Sequence, residues 1–208
     1  MSALTPDLLL AAYASGFFPM ADPARGDRVG WYAPDPRAVL PLSAFHVPKS
    51  LARVVRAGRF RVTADAAFGD VIRACAAPAP GRTTTWISDE IVAAYEALHG
   101  LGHAHSVECW EGETLAGGLY GVALGGAFFG ESMFSRARDA SKVALVALVE
   151  RLRAGGFVLL DVQMQTPHLA RFGVTEIPRG VYERRLARAL GVPARWPDAP
   201  SPGPSRGA

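Results

Sequence analysis

Apolar positions recur along this chain with two different periods. Ile91, Val92, Tyr95 and Leu98 return every three to four residues and predict a helix. Ser88 caps it, Asp89 and Glu90 fill its first turn, and Gly100 or Gly102 stops it. A second strong helix is expected from Ala140 to Ala154, ended by Gly155-Gly156. Leu51, Val54 and Val55 give the same spacing between Pro48 and Ala57. Thr5-Pro6-Asp7 opens an N-terminal helix that ends near Gly16. Shorter helices are expected over 68–76, 168–172 and 179–190.

Strand-like segments fall between these helices. His105–Glu111, Thr114–Leu124 and Ala127–Ser135 follow one another across Glu111-Gly112-Glu113 and Gly125-Gly126, which predicts an antiparallel meander. Brief strands are expected at 38–42, 60–63, 158–163 and 174–177. Residues 17–37, rich in Pro, Gly and aromatics, read as an ordered loop, and 77–81 as a Pro-rich break. From Pro193 the chain turns to Pro, Ser, Gly and Ala, so 193–208 is expected to be a disordered tail. The resulting expectation is an α+β protein, with a small N-terminal lobe over 1–62 and a body over 63–192.

Composition narrows the class. With 208 residues, 50% of them hydrophobic and 20% charged, the chain can bury a core, which excludes disorder over most of its length. It holds no apolar run of 18 residues, so no membrane span is expected. The stretch Leu8 to Met20 follows Asp7 and contains Ser15 and Gly16, which speaks against a signal peptide. Cys75 and Cys109 lie far apart with no C-x-x-C spacing. That argues against a disulfide scaffold or zinc ribbon and fits a cytoplasmic location. The net charge is +3, and the only lysines are Lys49 and Lys142. A basic face for phosphates and a biased genome composition both explain such an Arg-rich chain.

Candidate chemistry sits on the third strand of the meander. By alternation Glu131, Met133 and Ser135 share one face. They form either a solvated edge, or a pocket in which Glu131 binds an ammonium group and Met133 lines an apolar slot. Gly117, Gly118 and Gly121 on the neighbouring strand mark the close approach of a ligand or of another backbone. Asp161 and Gln163, two apart at the end of a buried strand, are a second candidate pair, or caps for the following loop. His103 and His105 form H-x-H without a third ligand nearby, so no metal site is expected. Trp31, Tyr32 and Trp86 sit in loops, where aromatics pack on the body or stack on nucleobases. No glycine occurs from 131 to 154, and Asp139 stands where a coenzyme A pyrophosphate would need a backbone cradle. An acyl donor other than acyl-CoA is expected.

Several longer segments are distinctive together. They are Gly16-Phe17-Phe18-Pro19-Met20, Trp31-Tyr32-Ala33-Pro34-Asp35-Pro36-Arg37, Thr85-Trp86-Ile87 and Gly117-Gly118-Leu119-Tyr120-Gly121. After them come Gly130-Glu131-Ser132-Met133-Phe134-Ser135, Ala140-Ser141-Lys142, Asp161-Val162-Gln163 and Glu176-Ile177-Pro178-Arg179. In this order, from about Leu8 to Leu190, they resemble the bacterial leucyl/phenylalanyl-tRNA–protein transferases.

The resemblance implies an N-acetyltransferase-like (GNAT) mixed sheet with flanking helices behind a small N-terminal lobe. It implies transfer of Leu or Phe, and less readily Met, from aminoacyl-tRNA to proteins beginning with Arg or Lys. The product is a degradation signal under the N-end rule, and no cofactor or metal is needed. Glu131 would bind the donor's α-ammonium, and Met133, Ser135 and Leu148 would border its side chain. Leu148 stands where a family member carries an aromatic. Trp86, with Trp31 or Tyr32, would pack around the terminal adenosine. Asp161 and Gln163 would stand beside the reacting ester and amine as the catalytic pair. A monomer is expected. The rivals are another acyltransferase of this fold, using acyl-CoA or building peptidoglycan bridges, and an RNA-binding module without catalysis.

Overall fold

A computed structural model describes residues 4–79 and 83–197. Its centre is a seven-stranded mixed sheet in the order β4-β5-β6-β7-β8-β3-β9. These strands are β3 (Arg37–Val39), β4 (Arg61–Ala64), β5 (Ala104–Glu111), β6 (Thr114–Leu124), β7 (Ala127–Ser135), β8 (Leu159–Gln163) and β9 (Thr175–Ile177). The expected meander is β5-β6-β7, paired antiparallel throughout. β8 then lies parallel to β7, and the connection between them is α5 (Ala140–Ala154). A parallel pair needs such a crossover, and the long apolar helix supplies it.

Both faces of the sheet are covered. One carries α1 (Pro6–Ala14), α3 (Phe68–Ala76), α4 (Asp89–Gly100) and α7 (Arg179–Leu190), packing Leu9, Tyr13, Ile72, Tyr95 and Leu186 with Tyr120 and Phe129. The other carries α2 (Lys49–Arg56) and α5, packing Leu51, Leu145, Leu148 and Leu152 with Leu119 and Phe128. The remaining helix, α6 (Pro167–Ala170), is one short turn capped by Thr166, whose Oγ1 accepts from Leu169 N at 3.2 Å. Ser88 caps α4 as its sequence predicts, accepting from Ile91 N at 3.4 Å.

Two expectations change. The stretch 17–37 is no mere loop: β1 (Phe18–Asp22) and β2 (Arg28–Tyr32) pair from Phe18↔Tyr32 to Asp22↔Arg28 as an antiparallel ribbon. Its Pro and Gly content hides the strands, and packing creates them. Phe18 and Ala21 are buried, and Ala21 N donates to Trp86 O at 3.0 Å. The tail is ordered as far as it is described. Trp196 stacks on His105 at 4.4 Å and on Phe128 at 5.6 Å, so an apolar ring in a polar stretch anchors residues 193–197. Residues 198–208 of the expected disordered tail lie outside the described residues. β3, which precedes the expected boundary at residue 62, lies inside the main sheet between β8 and β9.

Among the described residues no helix is long and apolar enough to cross a membrane.

Candidate active site

A cavity of about 530 Å³ opens where β6, β7 and β8 meet α5 and α6. That volume lies within the range of small-molecule sites. Leu119, Met133, Leu145, Leu148, Leu160 and Leu169 make it apolar on one side. Glu131 and Gln163 make its polar end, and Met20 of β1 and Trp86 border it.

A β-bulge aims Glu131. Tyr120 pairs with Ser132 and Gly121 with Gly130, so Glu131 is an extra residue in β7. The bulge corrects the expected alternation. Glu131 reaches toward α4, whereas Met133 packs with the α5 cluster and Phe134 with the opposite one. Glu131 and Met133 therefore come from different faces of the sheet and meet in the cavity. Gly121 serves this approach: a Cβ there would stand 2.2 Å from the carbonyl oxygen of Phe129. The glycines of β6 make room for neighbouring chain. A Cβ at Gly117 would meet the Cβ of Ala140 at 2.7 Å, and one at Gly118 the carbonyl oxygen of Val107 at 2.8 Å.

The Glu131 carboxyl is buried and held from two sides. Its Oε1 accepts from Gln163 Nε2 at 2.8 Å, and its Oε2 from the Tyr95 hydroxyl at 3.2 Å. The Tyr95 hydroxyl in turn shares a short hydrogen bond with that of Tyr13. Burial pushes Glu131 up to about 7, against the tyrosine hydrogen bonds that favour its carboxylate. An acidic group poised near neutrality beside an apolar slot can trade its proton for a bound cation. Tyr13 and Tyr95 escaped the sequence reading because at helical spacing they look like ordinary core.

Asp161 is placed elsewhere. It is fully enclosed and forms no part of the cavity wall. Its carboxylate accepts from Arg37 Nη2 at 2.7 Å, from the Tyr182 hydroxyl at 2.6 Å and from Gln163 N at 2.8 Å. Gln163, at φ +63°, turns into the cavity. The pair thus separates, one residue inside the wall and one on its surface. Ser135 borders the cavity, but its hydroxyl tends the start of α5, donating to Ala137 O at 2.8 Å and accepting from Ser141 N at 3.3 Å. Trp31 and Tyr32 remain on β2, 38% and 39% exposed, outside the cavity wall.

His105 Nδ1 lies 2.8 Å from Asp65 Oδ2, so the second imidazole of H-x-H is committed to a carboxylate. Among the described residues no group of three His, Cys, Asp or Glu is arranged to hold a metal ion. At the start of α5, Asp139 accepts from Lys142 Nζ at 2.6 Å, which holds its carboxyl below the usual range. Its other carboxylate oxygen lies 3.6 Å from Arg138 Nε, so the charge at that helix terminus is paired on both sides.

The family described as Leucyl/phenylalanyl-tRNA protein transferase matches residues 39–187, and its N-terminal domain matches residues 2–35. The Leucyl/phenylalanyl-tRNA--protein transferase of Gluconobacter oxydans (strain 621H) is 61% identical over 198 residues, covering 95% of this chain and 88% of that protein. The protein of the same name from Phenylobacterium zucineum (strain HLK1) is 64% identical over 186 residues, or 89% of this chain and 84% of its own. Among solved structures, that of L-PGS from Bacillus licheniformis is similar at a TM-score of 0.41 and 12% identity, covering 84% of this chain and 66% of that one. Matched in sequence along nearly its whole length, the chain belongs to the leucyl/phenylalanyl-tRNA–protein transferase family.

Proposed function

We propose that this protein moves a leucyl or phenylalanyl group, and less readily a methionyl group, from its tRNA to the N-terminal Arg or Lys of a protein. The new N-terminus marks that protein for degradation. The observation that carries this reading is the cavity itself, a sleeve of leucines and a methionine with a buried carboxyl at one end. An aminoacyl group has that shape: an apolar side chain with a cationic amine one carbon away.

Glu131 takes the donor's α-ammonium, and Leu119, Met133, Leu145 and Leu148 receive its side chain. Trp86, beside Met20, offers a ring to the terminal adenosine. Trp31 and Tyr32 extend that platform along the β1–β2 ribbon, where Trp31 pairs with Pro19 next to Met20. Gln163 spends an amide N–H on Glu131, which leaves its carbonyl oxygen for the incoming amine. That amine attacks the ester carbonyl carbon, the bond to the ribose oxygen breaks, and the ribose hydroxyl regains a proton. The ester is already activated, so alignment supplies most of the acceleration. An N-terminal amine with a pKa near 7.7–8.0 is roughly a tenth neutral at pH 7, so no strong base is required. Support for the GNAT-like reading of the body comes from α5 crossing between the parallel strands β7 and β8.

The test is incubation with leucyl-tRNA and an Arg-initiated peptide, followed by weighing the product. The reading expects a peptide heavier by one leucyl residue. An unchanged peptide, or one acylated only from acetyl-CoA, would contradict it.

A further inference from the structure

We propose that Arg37 and Tyr182 are positioning residues for the transfer, acting through Asp161 on Gln163; the proposal rests on the function given above. Asp161 is walled off from the cavity, and its carboxylate is gripped from β3, from α7 and from the end of its own strand. Arg37 Nε approaches Oδ1 at 3.0 Å and Nη2 approaches Oδ2 at 2.7 Å. The Tyr182 hydroxyl reaches Oδ2 at 2.6 Å, and the backbone N–H of Gln163 reaches Oδ1 at 2.8 Å.

The last of these bonds explains the others. Residues two apart in a strand share a face. An extended Gln163 would therefore follow Asp161 away from the cavity. Instead its backbone is left-handed, at φ +63°, a conformation that L side chains rarely adopt. The Asp161 carboxylate holds that turn by its N–H, and the turn swings the side-chain amide to Glu131 Oε1, 2.8 Å away. The carboxylate is fixed in its turn. The Arg37 guanidinium lies 4.9 Å from the centre of the Phe18 ring and 4.7 Å from that of Tyr182, and its Nη1 donates to Gly16 O at 3.1 Å.

A buried ion pair is weak ground for stability, since apolar packing of equal volume does as well. Its use here is directional. It ties the end of β8 to β3 and α7, so three elements distant in sequence set one amide. The assignment also gives a role to the segment from Trp31 to Arg37, whose last residue falls between the two matched family segments, 2–35 and 39–187.

Tyr182→Phe keeps the ring and removes one donor, and Arg37→Lys keeps the charge and removes the fork. Both are milder than truncation. The readouts are kcat and the donor KM in the wild-type and Gln163→Ala backgrounds. The proposal expects kcat to fall about tenfold in Tyr182→Phe, with donor KM within about twofold. In Gln163→Ala, adding Tyr182→Phe should then change nothing further. A wild-type kcat in Tyr182→Phe would overturn the proposal. So would an equal fractional loss in both backgrounds, which marks general loosening. Crystal structures of the two variants give a readout independent of activity. Gln163 should leave Glu131 or lose its positive φ in Arg37→Lys, and an undisturbed Gln163 in both variants overturns the proposal. Absence of transfer by the wild-type protein would instead defeat the proposed function, while those crystal structures still decide the positioning role.

Discussion

Gln163 donates its side-chain amide to Glu131 at 2.8 Å, which ties the bulge of β7 to the end of its parallel neighbour β8. Neither residue sits where regular strand geometry would put it: one is extra to its ladder and the other is left-handed. Two local irregularities thus meet over the polar end of an apolar cavity.

Glu131→Gln should abolish most transfer and yet stabilise the protein at alkaline pH. The native carboxyl keeps its proton up to about pH 7, against an ordinary value of 4.5. Between those values the folded state binds more protons than the unfolded one, so stability falls as pH rises through that window. The loss amounts to about 3 kcal/mol at most. Glutamine carries no charge and escapes it. Thermal melts should agree with wild type near pH 4 and lie several degrees higher at pH 8. Equal melting temperatures at both pH values would refute the prediction.

Tyr95→Phe removes a hydrogen bond that favours the carboxylate. The ascending limb of kcat/KM for the charged tRNA, centred near 7 in the wild type, should move to higher pH. The separate limb set by the peptide amine should stay in place. A profile measured from pH 5.5 to 9 separates the two, and an unmoved first limb would dissociate Tyr95 from the site.

Trp86→Ala should raise the donor KM about tenfold, the scale of one lost base-stacking contact, with kcat and the peptide KM little changed. Steady-state kinetics with each substrate varied in turn decides it. A defect confined to the peptide side would remove the adenosine role.

Leu148→Ala deepens the apolar side of the cavity. The ratio of phenylalanyl to leucyl transfer, as kcat/KM, should rise about tenfold. The same change deletes a buried side chain and should cost about 2–5 kcal/mol of stability. Competition between the two charged tRNAs in one tube reads the ratio directly.

The long elements were legible because periodicity over ten or more residues leaves little choice: α4, α5 and the β5-β6-β7 meander appear as their patterns predict. The β1–β2 ribbon was hidden by its Pro and Gly, and is made by the burial of Phe18 and Ala21. In the site, residue identity was readable and direction was not. Glu131 and Gln163 stand out as polar residues in apolar strands, but the bulge and the positive φ that aim them leave no mark in spacing. Arg37 did leave one. A lone Arg heading the apolar run Ala38-Val39-Leu40 needs a buried acid, and Asp161 is such an acid.

The most direct measurement compares two non-hydrolysable mimics of the charged tRNA end, a phenylalanyl-adenosine amide and its counterpart lacking the α-amine. Their affinities are measured by calorimetry for the wild-type protein and for Glu131→Gln. Loss of the amine should weaken binding to the wild type at least tenfold, the worth of one charge-assisted contact, and leave binding to Glu131→Gln almost unchanged. Equal weakening in both proteins would mean that the ammonium is held somewhere other than the Glu131 carboxylate.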